Sequence, residues 1–419
     1  MLIGLKGDNY YSKVFKRVNY KLWNSTFWVV ISGIKELPSS IGYLELLETL
    51  DLSNCSEFEK FSEIQGNMKW LEELYLRNIA IKELPNSIGS LRALQKLYLE
   101  NTSIKELPST IGCLEALKTL VLSCCSNFEK FPEIQRNMGS LCDLCLNKTS
   151  IKELPYYIGH LTTLQRLYLE KCKNLRSLPS SICGLKSLNH LFLNGCSNLE
   201  ALVEIMEDMK HLQYLHLREM AIIELLSSID RLKSLHWLEL SNCENLETLP
   251  NNIGNLRCLC TLFVRNCWKL QKLPGNLRSL GCCLKELDLG GCNLEKGAIP
   301  SALWCLSSLE VLDVSQNIIR CIPIGIIQLS KLRNLFMNHC PKLEEIPELP
   351  PSLIMIGAHG CPRPETLSSP THLLWSSLLN GLKSRIQVWI LHIIQPLFCI
   401  FYFKIKAWDL HAWYFCSGF

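Results

Sequence analysis

The pattern L-x-x-L-x-L returns along this chain at an almost constant step. It starts at Leu47, Leu71, Leu94, Leu117, Leu141, Leu164, Leu188, Leu212, Leu235, Leu259, Leu284, Leu309 and Leu332, with a worn copy at Leu353. The step between starts is 21 to 25 residues, mostly 23 or 24. A unit this short cannot enclose its own leucines. It buries them only by stacking on neighbours, so a long chain of such units is one structure and not several globular domains. Numbering each repeat from its first leucine, positions 4 and 6 are apolar and lie on one face of a short strand, while 3 and 5 lie on the other.

The second half of most repeats reads L-P-x-x-I-G-x-L, as at Leu84-Pro85, Leu107-Pro108, Leu154-Pro155, Leu178-Pro179 and Leu249-Pro250. Proline stops a strand and presets a first helical position. An isoleucine followed by a leucine three residues on turns a short helical segment inward. The predicted fold class is therefore α/β. It is a leucine-rich-repeat solenoid (a horseshoe) with fourteen parallel strands on the concave face and short α or 3-10 segments on the convex face. A degenerate first turn is expected upstream of Ile34-Lys-Glu-Leu-Pro38, with its strand around Phe27 and Val29. The expected organisation is an irregular segment or cap over 1–23, the solenoid over 24–361, a post-repeat segment over 362–387 and an apolar tail over 388–419.

The chain has 22 cysteines. Nine of them hold position 9: Cys55, Cys125, Cys172, Cys196, Cys243, Cys267, Cys292, Cys340 and Cys361. Thr102, Thr149 and Asn317 take that position in other turns, and Ile79 and Met220 break the rule. A small side chain buried where the strand turns into its loop accounts for this column better than metal or redox chemistry. The start MLIGLKGDNYYSK lacks the apolar run of a signal peptide, so a reducing, cytoplasmic compartment and free thiols are expected, and the four Asn-x-Ser/Thr sites read as chance. Position 9 also sets repeat length. After Thr, Asn, Ile or Met the next repeat starts 23 residues on, whereas the Cys form usually carries one extra loop residue. FEKFSEIQGNM, FEKFPEIQRNM and LEALVEIMEDM recur about three repeats apart, as duplication of three-turn blocks would leave them.

These forms carry a resemblance. The IKELPSSIG motif followed by L-x-x-L-x-L-x-x-C/T is similar to the leucine-rich-repeat region of plant intracellular immune receptors, which carry a TIR domain and a nucleotide-binding switch domain before their repeats. The stretches GAIPSALWCLSSLEVLDVSQN and, over 368–387, SSPTHLLWSSLLNGLKSRIQ also resemble the end of such repeats and the segment after it. The resemblance covers roughly residues 33 to 387. It implies binding of a pathogen effector, of a guarded host protein or of the receptor's own nucleotide-binding domain. No G-x-x-x-x-G-K-[ST] loop is present, so the TIR and switch domains are missing and the chain reads as a fragment of such a receptor, with no cofactor expected. A stand-alone scaffold of the Ras-associated leucine-rich-repeat type and a membrane-tethered receptor are the alternatives.

Other functions leave no trace. Net charge is +4 with no basic block, which excludes nucleic acid as an expected partner. No hydrolase, zinc-protease, dinucleotide or kinase signature occurs, so no enzyme is expected. The apolar run over 388–403 is either a membrane anchor or a non-native tail. It is shorter than the ~20 residues a span needs and holds His392, Gln395 and Pro396.

The positions facing away from the leucines are the informative ones. At positions 3 and 5, repeats six to nine offer Arg166, Tyr168, His190, Phe192, Tyr214, His216 and Trp237, and Tyr75 and Tyr98 hold position 5 of repeats two and three. Aromatics suit strands in any setting. A contiguous set with arginine on an open face is also the composition of a protein-binding hot spot. These nine residues are the candidate site. With the leucines filling the inside, no core role is expected for them.

Overall fold

The computed structural model describes residues 2–6, 28–32 and 35–361, apart from residues 38, 45, 67, 135–137, 296 and 297. Clustering of contacts separates Met1–Arg363 from Pro364–Phe419, and the fold is that of the first unit. Its main feature is one sheet of sixteen strands in strict chain order, every neighbour parallel. Fourteen are the repeat strands. Each spans positions 3 to 5, from Thr49–Asp51 to Met355–Gly357. The register pairs like with like: Arg166 with His190, His190 with Tyr214, and Tyr214 with Trp237.

The upstream strand expected around Phe27 and Val29 is Trp28–Ser32, paired with Thr49–Asp51. The segment over 1–23 departs from the expectation of irregularity. Leu2–Lys6 forms a sixteenth strand beside Trp28–Ser32. An edge strand of a parallel sheet is held by backbone hydrogen bonds, so it needs none of the repeat's leucine pattern. The apolar run over 388–403 and the post-repeat segment lie outside the described residues.

The repeat leucines close the interior. Leu212, Leu215 and Leu217 of one turn are 2%, 2% and 0% exposed, and the same positions are enclosed in the other complete turns. Each such side chain contributes about 1.5–3 kcal/mol by leaving water. The longer Cys-form loops bring in Phe58 with Phe61 and Phe128 with Phe131, buried pairs packed edge to face.

The opposite side carries ten 3-10 turns and, among the described residues, no α-helix. Ile88 N–H donates to Pro85 and Leu91 N–H to Ile88, both at 3.1 Å, which is the i to i+3 pattern. One turn started by proline and ended within five residues leaves no room for i to i+4 bonding. The glycine in L-P-x-x-I-G has a packing reason. A Cβ on Gly159 would stand 2.2 Å from the Ser181 carbonyl oxygen, and one on Gly254 equally close to that of Asn276. Successive turns stack this tightly only without it.

Position 9 has a task beyond filling space. Each position-9 cysteine from Cys125 onward donates its thiol to the position-6 carbonyl oxygen of the preceding turn, at 2.9 to 3.4 Å, as Cys292 does to Val264 and Cys340 to Val314. Eight of the nine cysteines are buried, and Cys361 is half-buried. Asn317 does the same work more completely. Its amide donates to Leu289 O at 2.8 Å and Val314 O at 2.9 Å, and its oxygen accepts from the N–H groups of Cys292 and Leu294. Cys and Asn317 thus donate from one turn to the one before it, whereas Thr149 donates within its own turn, to Leu146 O at 2.8 Å. Position 8, just before, has φ between +55° and +74° in all fourteen repeats. Glycine occupies it three times and asparagine five, the residues that tolerate left-handed backbone best.

Candidate protein-binding surface

Parallel register places the same position of successive repeats side by side, roughly 5 Å apart. Wherever consecutive repeats carry flat side chains, those side chains must therefore stack. At position 5, Tyr168 lies parallel to Phe192 with ring centroids 4.5 Å apart, and Phe192 lies against His216 at the same separation. At position 3, His190 stacks on Tyr214 at 4.3 Å. The two columns touch through His190 and Phe192 at 5.8 Å and through His216 and Trp237 at 6.4 Å. Arg166 closes one end. Its Nη2 donates to Asp143 Oδ2 at 2.7 Å and its Nε to the other carboxylate oxygen. Phe263 closes the far end with its ring edge-on to Trp237 at 4.9 Å.

Seven of the nine candidate residues thus form one continuous ladder over repeats six to nine. Tyr75 and Tyr98 are not part of it. They stack on each other at 4.8 Å, under the Arg77 guanidinium, which lies 4.2 Å from the Tyr98 ring centre. Repeats four and five separate the two groups, with Val121 and Cys145 at position 5. Glu73 ties this smaller cluster down, accepting from the Tyr75 hydroxyl and from Lys96 at 2.7 Å each.

One expectation fails in detail. Phe192 is 4% exposed, so it is covered and not presented to solvent. The other eight are half-buried. The idea that these aromatics have no part in the fold does not survive, because each ring covers its neighbour's face. Asp143, Arg77 and Phe263 belong to the site and lie outside the set read from sequence. Phe263 had a signal, an aromatic at position 5 next to Trp237. Asp143 and Arg77 become visible only once side-chain directions are known.

The ladder is close to electrically neutral. Burial, aided by the nearby His190, lowers the pKa of His216 to about 4. Burial first, and then Arg166, depress His190 in the same direction. Both imidazoles are uncharged at neutral pH. The Arg166 charge is matched by Asp143, whose hydrogen bond raises the guanidinium pKa further. Burial also raises the Tyr168 hydroxyl, which stays protonated. The surface is therefore apolar in its middle, with polar atoms at its rim. Nothing in it resembles a nucleophile with a base. Among the described residues, no group of three or more His, Cys, Asp or Glu side chains is placed to hold a metal. No described helix is long and apolar enough to cross a membrane.

Fold and surface together define a leucine-rich-repeat protein, and the chain belongs to that family. A leucine-rich-repeat-region model matches residues 60–148 and 200–290, and a single-repeat model matches 283–306. The model for the leucine-rich repeats of RPS4B-like disease resistance proteins matches 113–197. Over these residues the repeats are similar to those of plant disease resistance proteins. The chain is 29% identical over 159 residues to disease resistance protein RPS4 of Arabidopsis thaliana, covering 37% of this chain and 12% of that one. It is 35% identical over 149 residues to disease resistance protein RPS4B of the same plant, 32% and 13% of the two chains. To TMV resistance protein N of Nicotiana glutinosa it is 43% identical over 70 residues, 17% and 6%. The matched regions thus span 6 to 13% of these relatives' own lengths. Among solved structures, a Leptospira interrogans leucine-rich-repeat protein superposes with a TM-score of 0.52 at 24% identity, over 92% of this chain and 99% of that one. The likeness is one of fold.

Proposed function

We propose that this chain is the protein-recognition module of a plant disease resistance receptor and that the aromatic ladder is its contact surface. The observation that carries this reading is the continuous run of neighbouring rings from Tyr168 to Trp237, stacked as far as His216 and Tyr214, on the sheet face that the leucines leave open. Aromatic and arginine side chains fixed in one arrangement supply contact area with little ordering left to do on binding, and such residues dominate interface energetics. The partner is a protein: a pathogen effector, a guarded host protein, or the nucleotide-binding domain of the receptor of which this region is a part. The last case is autoinhibition. The module binds and does not catalyse, and its place is the cytoplasm, where its thiols stay reduced.

The experiment is made in the receptor that contains this region, with Tyr214→Ala and Trp237→Ala introduced singly. Loss of ligand-triggered signalling in a folded, normally abundant protein supports effector or guard recognition. Signalling without a trigger supports autoinhibition. Wild-type behaviour from both variants removes the ladder as the recognition surface.

A further inference from the structure

Two residues before the first leucine of each repeat, at the edge where the strands begin, a row of basic side chains runs beside the ladder. It holds Lys186, Lys210, Lys233 and Arg257, all exposed, in the consecutive repeats seven to ten. They are 23 or 24 residues apart along the chain, so the sequence shows no run of charge. Stacking brings them together, because side chains at this position reach from turn to turn. Arg92 and Glu115, which hold it in repeats three and four, form an ion pair of 3.7 Å. In the later repeats the row carries like charges instead. Lys186 is matched by Glu207 at 2.7 Å. Among the described residues, no carboxylate comes within ion-pair distance of Lys210, Lys233 or Arg257. Like charges side by side on neighbouring turns are unfavourable, so the fold gains nothing from this row.

The row borders the ladder. Ser187 and His211, the chain neighbours of Lys186 and Lys210, line a shallow recess of 310 Å³ together with Arg166 and His190 of the ladder. A second recess, of 440 Å³, is lined by Lys233, Arg257, Asp230 and Asn255. We infer that the protein docking on the ladder overlaps this rim with an acidic segment, whose aspartate or glutamate side chains settle along Lys210, Lys233 and Arg257. The inference rests on the reading of the ladder as a contact surface. The ladder is close to neutral, so its rings supply contact area, while charge at the rim sets orientation and speeds encounter. A nucleic acid fits the rim less well. Asp230 accepts from the amides of Asn252 and Asn255 at 3.3 and 3.1 Å and keeps a negative charge in the second recess. The unbroken charge of a phosphate backbone would run onto that carboxylate, whereas the acidic side chains of a protein can be spaced to avoid it.

The test is a selection of peptides from a random displayed library on the full chain. Binding of the selected peptides is then measured on Trp237→Ala to identify those that use the ladder. Peptides that use the ladder should be enriched in Asp and Glu. The double variant Lys233→Glu with Arg257→Glu should weaken their binding about tenfold or more, because charges at a rim then repel. Both residues are exposed, so the melting temperature should stay nearly unchanged. Lys69→Glu with Arg92→Glu makes the same change of net charge at the same position of repeats two and three, and should leave binding within about threefold of wild type. Raising salt from about 0.05 M to about 0.5 M should weaken binding to the wild type and have little effect on Lys233→Gln with Arg257→Gln. Ladder-binding peptides without acidic enrichment, or equal losses in the two charge-reversed proteins, overturn the acidic segment and leave the ladder standing. So does a single-stranded oligonucleotide that binds the wild type and is released by Lys233→Glu with Arg257→Glu, since the row would then serve nucleic acid. Selected peptides all indifferent to Trp237→Ala count against the ladder itself.

Discussion

The thiol of Cys243 donates to the carbonyl oxygen of Leu217 in the preceding turn, with 3.0 Å between sulfur and oxygen. Both atoms are enclosed, and the link recurs along the column from Cys125 to Cys361. Position 9 therefore tests hydrogen bonding and not only volume. Cys243→Ala leaves a buried carbonyl without this donor and should cost about 1–3 kcal/mol. Cys243→Ser keeps a donor on a side chain of similar size and should cost less. Urea unfolding curves of the two variants decide it. Equal losses would mean that the column is a matter of packing alone.

Leu215 and Gln213 give the sharpest check on register, since they are two residues apart. Leu215 is 2% exposed between two neighbouring turns, while Gln213 is half-buried at the rim. Leu215→Ala should destabilise by about 2–5 kcal/mol, the range for leucines removed from enclosed sites. Gln213→Ala should stay within about 0.5 kcal/mol, as for surface changes. Similar melting shifts in the two variants would mean that the repeat register is wrong.

What was legible in the sequence was everything that repeats. The fourteen strands and their limits at positions 3 to 5 follow from leucine spacing, because one misplaced residue would expose a whole face. The bonding of the cysteine column was hidden, since a small buried side chain and a thiol donor look alike in sequence. The left-handed position 8 shows only in asparagine and glycine frequency, and residues such as Lys148, Lys171 and Glu219 mask it. The burial of Phe192 depends on rings in adjacent turns lying flat on one another, as Tyr168 and His216 do against it. A one-dimensional pattern records that such rings are neighbours and says nothing of how they tilt. Asp143 reads as one more polar residue until Arg166 is seen to grip it.

Thiol reactivity should separate the cysteines by place. Burial pushes Cys196, Cys243 and Cys292 up to about 12, so at pH 8 they hold almost no thiolate. Cys282 and Cys305 are exposed. Brief iodoacetamide treatment of native protein, read by peptide mass spectrometry, should label Cys282 and Cys305 first among the cysteines of the described residues. Position-9 cysteines should react only after denaturant is added. Early labelling of Cys243 or Cys292 would show that the turns open more readily than their packing implies.

Asp288 should make stability depend on pH in an unusual direction. Burial, with Asp313 beside it, pushes its pKa up to about 6 from an ordinary 3.8, against the pull of Arg265. The folded state therefore holds this proton more tightly than the unfolded chain does. Its stabilising effect is complete below about pH 4 and is lost as pH rises to about 6. Asp288→Asn cannot ionise. Its stability relative to wild type should rise across that window and level off above it, as followed by denaturant titrations at pH 4.5, 5.5, 6.5 and 7.5. A gap that is constant over the series would show that Arg265 holds the carboxylate charged throughout.

Trp237 and Tyr214 are the residues on which the binding proposal is most exposed, because their neighbours give them two roles. Tyr214 covers His190, and Trp237 meets both His216 and the edge of Phe263. Removing either ring therefore takes away folded-state contacts worth about 0.5–1.5 kcal/mol per aromatic pair. A melting temperature lowered by a few degrees is expected and is not evidence against a binding role. Phe192→Ala is a poor probe of binding, since an enclosed phenylalanine costs about 3–5 kcal/mol when truncated. The separation lies in comparing two losses in the same variants. Trp237→Ala and Tyr214→Ala should each weaken partner binding by about 2 kcal/mol or more, measured well below their melting temperatures. Tyr75→Ala, in the separate cluster of repeats two and three, should disturb its own stack on Tyr98 and leave affinity nearly unchanged. Calorimetric melts and binding titrations on the three proteins give both quantities. If affinity falls equally in all three, the loss follows from destabilisation, and the ladder has no special claim to the partner.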